Sequence, residues 1–485
     1  MRDMKDSSAE GSGPLPVLAV DLDGTLVSSD MLFETFWAAL ALDWRTPFAA
    51  LSALRQGRAA LKAMLAGRVT IDVARLPYTP QVIEYVRGWR AAGGRVALVT
   101  AADQSVAQRV ADHLGLFDEV HGSDGTRNLK GAAKAALLVE LYGARGFAYV
   151  GDAGADLAIW RDAARAITVD AAPDLRRRVD AIDPKAEHLT TEIPRGPAYV
   201  RALRPTQWLK NILVFAPLLA AHQFAMGTVL TGFVAFLSFS FVASAVYVLN
   251  DLLDLAADRA HPRKRARPFA SGAIPISHGA VMAPGLLLGG LALALPLGWA
   301  FVAVMVTYFA ATLAYSLVLK RRAILDITTL AALYTLRIVA GAAAVGLSIS
   351  VWLLAFSIFF FFSLAAVKRQ AELADLAQRG ETEAPGRGYR VADLPVVAQM
   401  AMASGYVSVL VLVLYLDSPV VRNLYAQPSI LWGICGVLLY WLSHIFMVTH
   451  RGRMHDDPIV YALRDVQSLI CVALMTGLAV AATLW

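Results

Sequence analysis

Nine apolar runs in the second part of the chain place the strongest limit on its fold. They lie at 208–224, 227–249, 279–297, 299–319, 326–346, 350–367, 396–416, 429–448 and 466–485. Each run is close to the length that crosses about 30 Å of hydrocarbon as a helix. Inside a bilayer the backbone N–H and C=O groups have no water to bond, so a spanning segment must satisfy them within its own helix. The sequence therefore predicts an all-α membrane bundle of about nine transmembrane helices over residues 201–485.

The first 200 residues have a different composition. The chain of 485 residues is 57% hydrophobic and 17% charged, but this average combines a soluble part with a membrane part. Residues 1–16 are polar and rich in Gly and Ser, without the apolar core of a signal peptide. We therefore expect a disordered tail and a soluble domain that stays in the cytoplasm. Both cysteines, Cys435 and Cys471, lie in apolar runs, so no disulfide framework is predicted.

The charge of the loops predicts the orientation of the membrane helices. The loops after the second, fourth, sixth and eighth runs contain sixteen Lys and Arg residues, whereas the opposite loops contain Arg422 alone. Because positively charged loops stay in the cytoplasm, we predict a multi-pass protein of the cell inner membrane with its N-terminal domain in the cytoplasm. The net charge of +6 is carried by these loops, which favours the lipid bilayer and anionic substrates as partners and argues against nucleic acid.

A segment that is first acidic and then basic, residues 250–268, directly follows the second apolar run. Its Asn250, Asp251, Asp254 and Asp258 recur at helical spacing, so we expect them on one face of a helix end. Oxygen ligands of this kind hold Mg²⁺ together with the phosphates of a substrate. The basic residues that follow are suited to bind phosphate oxygens. The alternative is a solvated loop that obeys the positive-inside rule, which would not require three aspartates.

Further polar side chains lie on the same predicted side of the membrane. They are Tyr315, Lys320, Asp326, Lys368, Arg369, Glu372 and Tyr389, followed by His455, Asp456, Asp457 and Arg464. Arg337 differs from them because it lies in the middle of the fifth run. An arginine inside a membrane span indicates a functional site. An ion pair with Asp326 of the same helix is the alternative, and the sequence leaves both open.

Five motifs of this part resemble the UbiA-type intramembrane prenyltransferase superfamily, in particular its decaprenyl-phosphate phosphoribosyltransferases. They are N-D-x-x-D-x-x-x-D at 250–258, D-R-A-H-P-x-K-R-x-R-P-x-A-x-G at 258–272, R-P-x-Q-W-x-K-N at 204–211, K-R-x-x-E at 368–372 and D-D-P at 456–458. The resemblance covers essentially all of residues 200–485. Aromatic-prenylating members carry a second aspartate-rich motif after the sixth run, where this chain has Lys368, Arg369, Glu372 and Asp375. This departure favours the phosphoribosyl branch.

The resemblance implies transfer of 5-phosphoribose from phosphoribosyl diphosphate to a polyprenyl phosphate, with Mg²⁺ as cofactor. Departure of the diphosphate gives the ribose oxocarbenium character, so the site needs a metal and cations on the diphosphate oxygens. In this interpretation Asp251 and Asp254 are catalytic and hold the metal with Asp258. The implied substrate-binding residues are Lys210, Asn250, Arg259, His261, Lys264, Arg267, Tyr315, Lys320, Asp326, Arg337, Lys368, Arg369 and Glu372.

Two other functions stay open for the membrane part. One is transfer of a polyprenyl group from its diphosphate to an aromatic acceptor, with a phosphatase domain that has a separate substrate. The other is a catalytically silent bundle that anchors a phosphatase or carries a lipid across the membrane.

Four motifs of the soluble part follow predicted strands. They are D-L-D-G-T at 21–25, Thr100 after G-G-R-V-A-L-V, Lys130 in N-L-K-G, and G-D-A-G-A-D at 151–156 after A-Y-V. Strands that alternate with helices predict a parallel, Rossmann-like α/β sheet whose ligands gather at the carboxyl ends of the strands. The motifs and their order resemble the haloacid dehalogenase superfamily of phosphotransferases over about residues 15–170.

By this resemblance Asp21 is the nucleophile and Asp23 is the general acid and base. Thr100 and Lys130 would hold the transferred phosphoryl group. The implied Mg²⁺ ligands are Asp21, Asp23 and Asp152, supported by Asp156. The alternative is a degenerate domain that serves as a scaffold.

The remaining soluble residues complete a phosphatase domain over 17–170. Residues of about 30–80 are predicted to form a small helical cap. Its Trp37, Phe48 and Leu51 are interpreted as core, with a contact between cap and membrane as the minor alternative. Residues 171–200 are charged and contain four prolines, which predicts a linker.

The two parts together predict a bifunctional enzyme. Phosphoribosyl transfer yields a phosphomonoester, which is the substrate class that the fused phosphatase would hydrolyse. The sequence leaves open the prenyl chain length, the fate of the sugar lipid, the true substrate of the phosphatase and the oligomeric state, a homo-oligomer included.

Overall fold

The computed structural model describes residues 15–191, 195–384, 387–454 and 457–484. These residues form two compact units. The first contains the chain up to Leu203 together with Tyr247–Ala283, and the second contains Arg204–Val246 together with the chain from Pro284 onward. The acidic–basic segment, residues 250–268, therefore packs with the soluble domain. The domain boundaries predicted from the sequence had placed this segment in the membrane bundle. The predicted tail, 1–16, lies almost wholly outside the described residues.

The first unit is built on a parallel six-stranded sheet, as predicted. Its strands are β1 (Val17–Val20), β2 (Val96–Asp103), β3 (Glu119–Ser123), β4 (Phe147–Gly151), β5 (Arg165–Val169) and β6 (Glu187–Leu189). Their order is β3-β2-β1-β4-β5-β6. β1, β2 and β4 are almost entirely buried apolar runs, because helices cover both faces of the sheet. The central place of β1 between β2 and β4 brings the ends of these three strands together.

Helices surround this sheet and form its cap. They are α1 (Met31–Leu42), α2 (Thr46–Leu54), α3 (Arg58–Arg68), α4 (Pro80–Ala91), α5 (Gln104–Leu114), α6 (Ala132–Tyr142), α7 (Leu157–Asp162), α8 (Pro173–Asp180) and α9 (Arg195–Leu203). The cap predicted over 30–80 consists of α1, α2 and α3. Trp37 is buried in it as expected, but Phe48 and Leu51 are exposed, so their assignment to the core is wrong. The buried residues of α2 are Thr46 and Ala53, and the side of the helix with Phe48 and Leu51 is exposed.

The predicted linker 171–200 differs from the structure over its first part. It contains α8 and β6, and β6 pairs in parallel with β5. β6 has three residues, and a strand this short at a sheet edge has no recognisable alternation of polar and apolar residues. The α/β domain thus continues to Leu189.

Eight helices of the described residues are long and apolar enough to cross a membrane. They are α12 (Met226–Leu253), α14 (Ile276–Ala294), α15 (Trp299–Leu317), α16 (Leu325–Ala344), α17 (Val351–Gln378), α18 (Leu394–Leu416), α20 (Trp432–His450) and α22 (Val466–Leu484). The shorter helices between them are α10 (Pro205–Trp208), α11 (Ala216–Ala220), α13 (Leu255–Ala260), α19 (Pro419–Leu424) and α21 (Pro458–Ala462).

The count is one fewer than the nine apolar runs. The first run, 208–224, is not one long helix, because α10, a 3₁₀ helix over Leu209–Phe215 and α11 follow one another there. Pro217 interrupts helical bonding, and the buried Asn211 donates to Ser240 Oγ at 3.0 Å. Gly341 of α16 meets this stretch so closely that a Cβ would lie 1.9 Å from the carbonyl oxygen of Val214. Small residues of this kind let membrane segments pack at short distance.

Candidate functional sites

Three carboxylates converge at the carboxyl edge of the sheet in the first unit. Asp21 follows β1, and Asp152 and Asp156 follow β4. One oxygen from each lies within 4.8 Å of the others. Gly24 makes this packing possible, because its φ is +75° and a Cβ would lie 2.3 Å from Asp152 Oδ2. Thr25 Oγ1 donates to Asp152 Oδ1 at 3.2 Å, so the D-L-D-G-T motif positions the second acidic motif directly.

The electrostatics of this cluster fit a divalent cation. Burial, followed by the charge of Asp21, raises the pKa of Asp152 to about 7 and that of Asp156 to about 6. Carboxylates held this close repel one another when ionised. A hard cation such as Mg²⁺ takes oxygen ligands and would relieve that repulsion. Asp21, Asp152 and Asp156 therefore suit a Mg²⁺ site, and Asp156 is as much a member of the cluster as Asp152.

A buried lysine approaches the predicted nucleophile. Lys134 Nζ lies 2.9 Å from Asp21 Oδ2, and the lysine side chain is 2% exposed. Lys130, which the motif indicated, lines the same cavity from an exposed position. Thr100 is buried, and its Oγ1 accepts the N–H of Ala102 at 3.0 Å. The sequence did not single out Lys134, because it lies four residues after Lys130 and nothing in the motif distinguishes the two lysines.

Asp23 has the properties of a general acid. Its Oδ1 accepts the N–H of Met31 at 2.7 Å. Burial, followed by the charges of Asp30 and Asp21, holds the pKa of Asp23 well above its usual range. A carboxyl group with a raised pKa keeps a proton near neutral pH that it can give to a leaving group.

The cavity above these groups has a volume of about 860 Å³. Cap helix α3 contributes Lys62, whose Nζ donates to the carbonyl oxygen of Ala101 at 2.5 Å and to Asn128 Oδ1 at 2.8 Å. Another wall comes from residues 272–278, which follow the acidic–basic segment. The described residues thus enclose a phosphatase-like site whose wall includes a segment between two membrane helices.

A buried ion pair attaches the cap to the acidic–basic segment within the first unit. Arg259 of α13 donates to Glu34 of α1 through Nη1 at 3.0 Å and Nη2 at 2.6 Å, and through Nε to the carbonyl oxygen of Ala270 at 3.0 Å. The two side chains are 7% and 4% exposed. Arg259 was expected to bind substrate, but three of its N–H groups are used in this contact, which favours a structural role.

We expect loss of this pair to destabilise the first unit strongly. Glu34→Ala leaves the charge of Arg259 buried without its carboxylate, and such a change costs about 3–5 kcal/mol. Arg177→Ala is the matched control, because Arg177 and Asp174 form an exposed pair, which contributes about 0–1 kcal/mol. Hydrogen exchange of amides in β1 and β4 measures both. Equal protection in the two variants would contradict the role of Glu34.

A second prediction concerns metal and pH. The pKa values of about 7 for Asp152 and about 6 for Asp156 exceed their ordinary 3.8. Between those values the metal-free folded state binds more protons than the unfolded chain, so its stability falls as the pH rises. Mg²⁺ needs the deprotonated forms. The rise in Tm caused by Mg²⁺ should therefore be larger at about pH 8 than at about pH 5.5, and Asp152→Asn should reduce the difference. The same rise at both pH values would contradict the cluster as a metal site.

In the acidic–basic segment, an arginine bridges two of the aspartates. Asp251 and Asp258 are each 2% exposed, and Arg267 Nη1 donates to Asp251 Oδ1 at 3.1 Å and to Asp258 Oδ2 at 2.6 Å. Asp254 caps α13, and its N–H donates to the carbonyl oxygen of Asn250 at 2.9 Å. Burial outweighs Arg267 and raises the pKa of Asp258. This face of the helix end therefore accommodates a cation between two carboxylates.

His261 and Lys264, which lie between Asp258 and Arg267 in the sequence, take no part in the contact of Arg267 with the aspartates. His261 accepts the N–H groups of Arg263 and Lys264 at its Nδ1, at 3.2 and 3.3 Å. Both His261 and Lys264 are exposed. The structure therefore brings Asp251, Asp258 and Arg267 together and leaves His261 and Lys264 at the surface.

The second unit contains a buried ionic cluster around Asp326. Arg369 Nη2 lies 2.6 Å from Asp326 Oδ2, and neither side chain is exposed. Tyr315 and Arg387 bond the other carboxylate oxygen at 2.8 and 3.0 Å. Glu372 pairs with both arginines. Four of the predicted substrate-binding residues, Tyr315, Asp326, Arg369 and Glu372, thus lie in one network. The second arginine of this network, Arg387, was not predicted from the sequence as a site residue.

Another cluster in this unit joins two predicted substrate-binding lysines. Lys210 and Lys368 donate to Asp457 Oδ2 at 2.9 and 3.1 Å. Burial opposes ionisation of Asp457, but the ammonium groups of Lys368 and Lys210 outweigh it and hold the pKa well below its usual range. Two cations share one carboxylate, so the cluster carries a net positive charge suited to phosphate. Of the D-D-P motif, Asp456 lies outside the described residues, as does His455.

Arg337 is held by neutral groups. It donates to Asn211 Oδ1 at 3.0 Å, to Tyr308 Oη at 3.2 Å and to the carbonyl oxygen of Leu333 at 2.5 Å. Its guanidinium lies 5.1–5.2 Å from the ring centroids of Phe239, Tyr308 and Tyr334. The ion pair with Asp326, one of the two interpretations of Arg337, is not formed, because Asp326 is engaged by Arg369 and Arg387. Lys320 lies in a 3₁₀ turn after α15.

Two family models match the chain in the two parts that carry these sites. The haloacid dehalogenase-like hydrolase model matches residues 18–161, and the UbiA prenyltransferase family model matches residues 212–482. The second match covers more than half of the chain. The chain belongs to the UbiA prenyltransferase family. This UbiA-family protein is a multi-pass membrane protein of the prenyltransferase type, with a hydrolase domain of the haloacid dehalogenase-like class at its N-terminal side.

Relatives of this UbiA-family chain cover different shares of it. The uncharacterized protein y4nM of Sinorhizobium fredii is 38% identical over 96% of this chain and 90% of its own length. A decaprenyl-phosphate phosphoribosyltransferase of Mycobacterium tuberculosis is 39% identical over 40% of this chain and 66% of its own length. Among solved structures, a UbiA homologue of Archaeoglobus fulgidus bound to DMAPP and Mg²⁺ is 16% identical, with a TM-score of 0.44 over 58% of this chain and 99% of that one.

Proposed function

We propose that this protein is a bifunctional enzyme of a membrane lipid. Its membrane part would transfer 5-phosphoribose from phosphoribosyl diphosphate to a polyprenyl phosphate, and its α/β domain would remove the 5-phosphate of the product. The observation that carries the proposal is the cluster of Asp21, Asp152, Asp156 and Lys134, with Asp23 in the same cavity, on the same chain as the acidic–basic segment. These residue types suit hydrolysis of a phosphomonoester. The partial similarity to decaprenyl-phosphate phosphoribosyltransferases supports the choice of substrate.

Hydrolysis would start from Asp21. Its carboxylate oxygen attacks phosphorus, and the bond to the leaving oxygen breaks as Asp23 gives that oxygen a proton. Asp23 then takes a proton from the water that hydrolyses the aspartyl phosphate. Lys134, 2.9 Å from Asp21 Oδ2, would hold the nucleophile in position. Mg²⁺, held by Asp21, Asp152 and Asp156, would supply charge that stabilises the phosphoryl oxygens.

Transfer would depend on the acidic–basic segment of the first unit. The diphosphate leaves the anomeric carbon, and an oxygen of the lipid phosphate forms the new bond to that carbon. Asp251, Asp254 and Asp258 would hold Mg²⁺, which supplies charge for the departing diphosphate. Arg267, which pairs with Asp251 and Asp258, would bind phosphate oxygens. Lys210 and Lys368 are the proposed phosphate ligands of the second unit, while the Asp326 cluster and Arg337 are buried among their partners and would hold the helices in place.

One assay separates this function from prenylation of an aromatic acceptor. Purified protein with Mg²⁺ receives labelled phosphoribosyl diphosphate and polyprenyl phosphate, or polyprenyl diphosphate and 4-hydroxybenzoate. We expect label in the lipid fraction from the first pair. Product from the second pair alone would establish the aromatic alternative, and product from neither would leave a phosphatase with a silent anchor.

We infer that the α/β domain lies in the cytoplasm. The first unit contains the chain on both sides of residues 204–246, and α12 crosses the membrane once between them. Residues 205–225 therefore have to cross as well, so that both ends return to the same side. Since the loop after α12 is basic, that side is the cytoplasmic one.

This topology predicts the labelling of two exposed positions between membrane helices. Arg453→Cys should react with a membrane-impermeant thiol reagent from the cytoplasmic side, and Arg422→Cys from the opposite side, because α20 crosses between them. The two native cysteines are buried, so background labelling should be low. Labelling in the reverse sense would refute the assignment.

A further inference from the structure

The cap of the α/β domain has an exposed apolar stripe. Its members are Leu42, Trp44, Phe48, Leu51 and Leu54, which are between 45% and 78% exposed. Phe48, Leu51 and Leu54 are each separated by three positions, so they follow one side of α2. Trp44 lies in the turn before α2, and its ring centroid is 6.3 Å from that of Phe48. Single exposed hydrophobic residues are ordinary, but a contiguous patch of large ones marks a surface that another apolar phase covers.

The charges around the stripe indicate the nature of that phase. Arg45, Arg55 and Arg58 border it and are exposed, and the guanidinium of Arg45 lies 5.6 Å from the ring centroid of Trp44. Asp43 is the acidic residue in this stretch, and it faces Arg68 at 3.9 Å. An aromatic residue with arginines around an apolar centre is the pattern of a surface that binds anionic lipid head groups.

The same charges disfavour a second copy of the chain as the covering partner. A twofold interface places the same patch on both sides. The arginines bordering one stripe would then face those of the other, and such like-charge contacts are unfavourable.

The chain keeps the cap close to a membrane. Arg259 follows the end of α12 at Leu253 by six residues, which span at most about 20 Å, and it is joined to Glu34 of the cap by the buried ion pair. On the other side of the segment, Gly272 packs so tightly that a Cβ would lie 3.0 Å from the Cβ atoms of both Ser28 and Pro77. Gly272 precedes α14, which begins at Ile276, by four residues. Two attachments next to two membrane helices thus restrain the cap.

We propose that the cap binds the lipid bilayer, with the stripe in the boundary between head groups and acyl chains and the arginines on lipid phosphates. This surface is independent of either chemical activity. The stripe also extends toward the cavity of the α/β domain, because Leu54 lines that cavity together with Leu32, Phe33 and Leu61.

Spin labels in nanodiscs of phosphatidylglycerol and phosphatidylcholine test the proposal. Phe48→Cys and, separately, Trp44→Cys are made in a Cys435→Ala, Cys471→Ala background and labelled with a nitroxide. Glu140→Cys is the matched control, because Glu140 is exposed on α6 near the start of β4, at the end of the sheet opposite Asp21. Relaxation by oxygen, which concentrates in lipid, is compared with relaxation by a water-soluble nickel chelate. A circular-dichroism spectrum and a Tm equal to those of the cysteine-free parent show that each variant is folded.

We expect the ratio of oxygen to nickel relaxation to be severalfold higher at positions 44 and 48 than at 140. A ratio equal to that of the control would mean that the stripe lies in water, and the proposal would be wrong. Low relaxation by both agents would mean that protein covers the stripe, as in an oligomer, and would also overturn it. No substrate of either site enters the measurement, so failure of the proposed function leaves its outcome unchanged.

Discussion

Asp21→Asn should abolish hydrolysis of phosphomonoesters and leave lipid transfer intact. The carboxamide has nearly the volume of the carboxylate, and its oxygen can still accept the N–H of Leu22, which Asp21 Oδ1 accepts at 2.8 Å. It cannot form an acyl phosphate. Loss of a nucleophile reduces turnover by about 10⁴-fold or more. If the two activities act in sequence, the 5-phosphorylated ribolipid accumulates, which mass spectrometry of the lipid product detects.

The control for this variant is Asp112→Asn, an exposed aspartate of α5 that bonds Gln108 at 2.8 Å. It should leave both activities unchanged. An Asp21→Asn protein that still hydrolyses small phosphomonoesters would refute the nucleophile. One that loses hydrolysis but has the wild-type lipid profile would show that the domain acts on another phosphate.

Asp251→Asn and Asp254→Ala should abolish lipid transfer while hydrolysis persists. In the first variant the amide oxygen of the new side chain could still accept from Arg267, which also keeps Asp258 at 2.6 Å, so the helix end should stay folded. The charge that would hold Mg²⁺ is lost, and losses of charge-stabilising groups reduce rates by about 10²–10³-fold. Labelled phosphoribosyl diphosphate and polyprenyl phosphate measure the transfer, and a small phosphomonoester measures the hydrolysis.

Asp417→Asn provides the comparison for these variants, because Asp417 is exposed and pairs only with Arg422 among the contacts described for it. Transfer by both aspartate variants within a few-fold of Asp417→Asn would remove the acidic–basic segment from the transfer site. Loss of hydrolysis as well as transfer would indicate that the segment supports the fold of the first unit.

Two classes of feature could be predicted from the sequence because each rests on a local rule. The apolar runs predict membrane helices, since a bilayer requires every backbone group to bond within its own helix. The strands ending at Asp21 and Gly151 predict a parallel sheet with acidic residues at one edge, because β1 and β4 are near-continuous apolar runs of the kind buried on both faces. Eight of nine runs and the parallel sheet are confirmed. The run at 208–224 is not a single helix, because Pro217 and the hydrogen bonds of the Asn211 side chain interrupt it.

Which side chain faces which depended on packing between residues far apart in the chain. Lys130 lies before α6 and Lys134 lies in its first turn, and the packing of α6 against the sheet places Lys134 beside Asp21. Arg259 belongs to a motif that indicates phosphate binding, yet Glu34, 225 positions earlier, takes its guanidinium. Phe48 and Leu51 are large hydrophobic residues of the kind found in protein cores, but the packing of the cap leaves them exposed. Local hydrophobicity and backbone bonding are encoded within a few residues, whereas these pairings arise from the geometry in which the elements meet, which no single segment of the sequence contains.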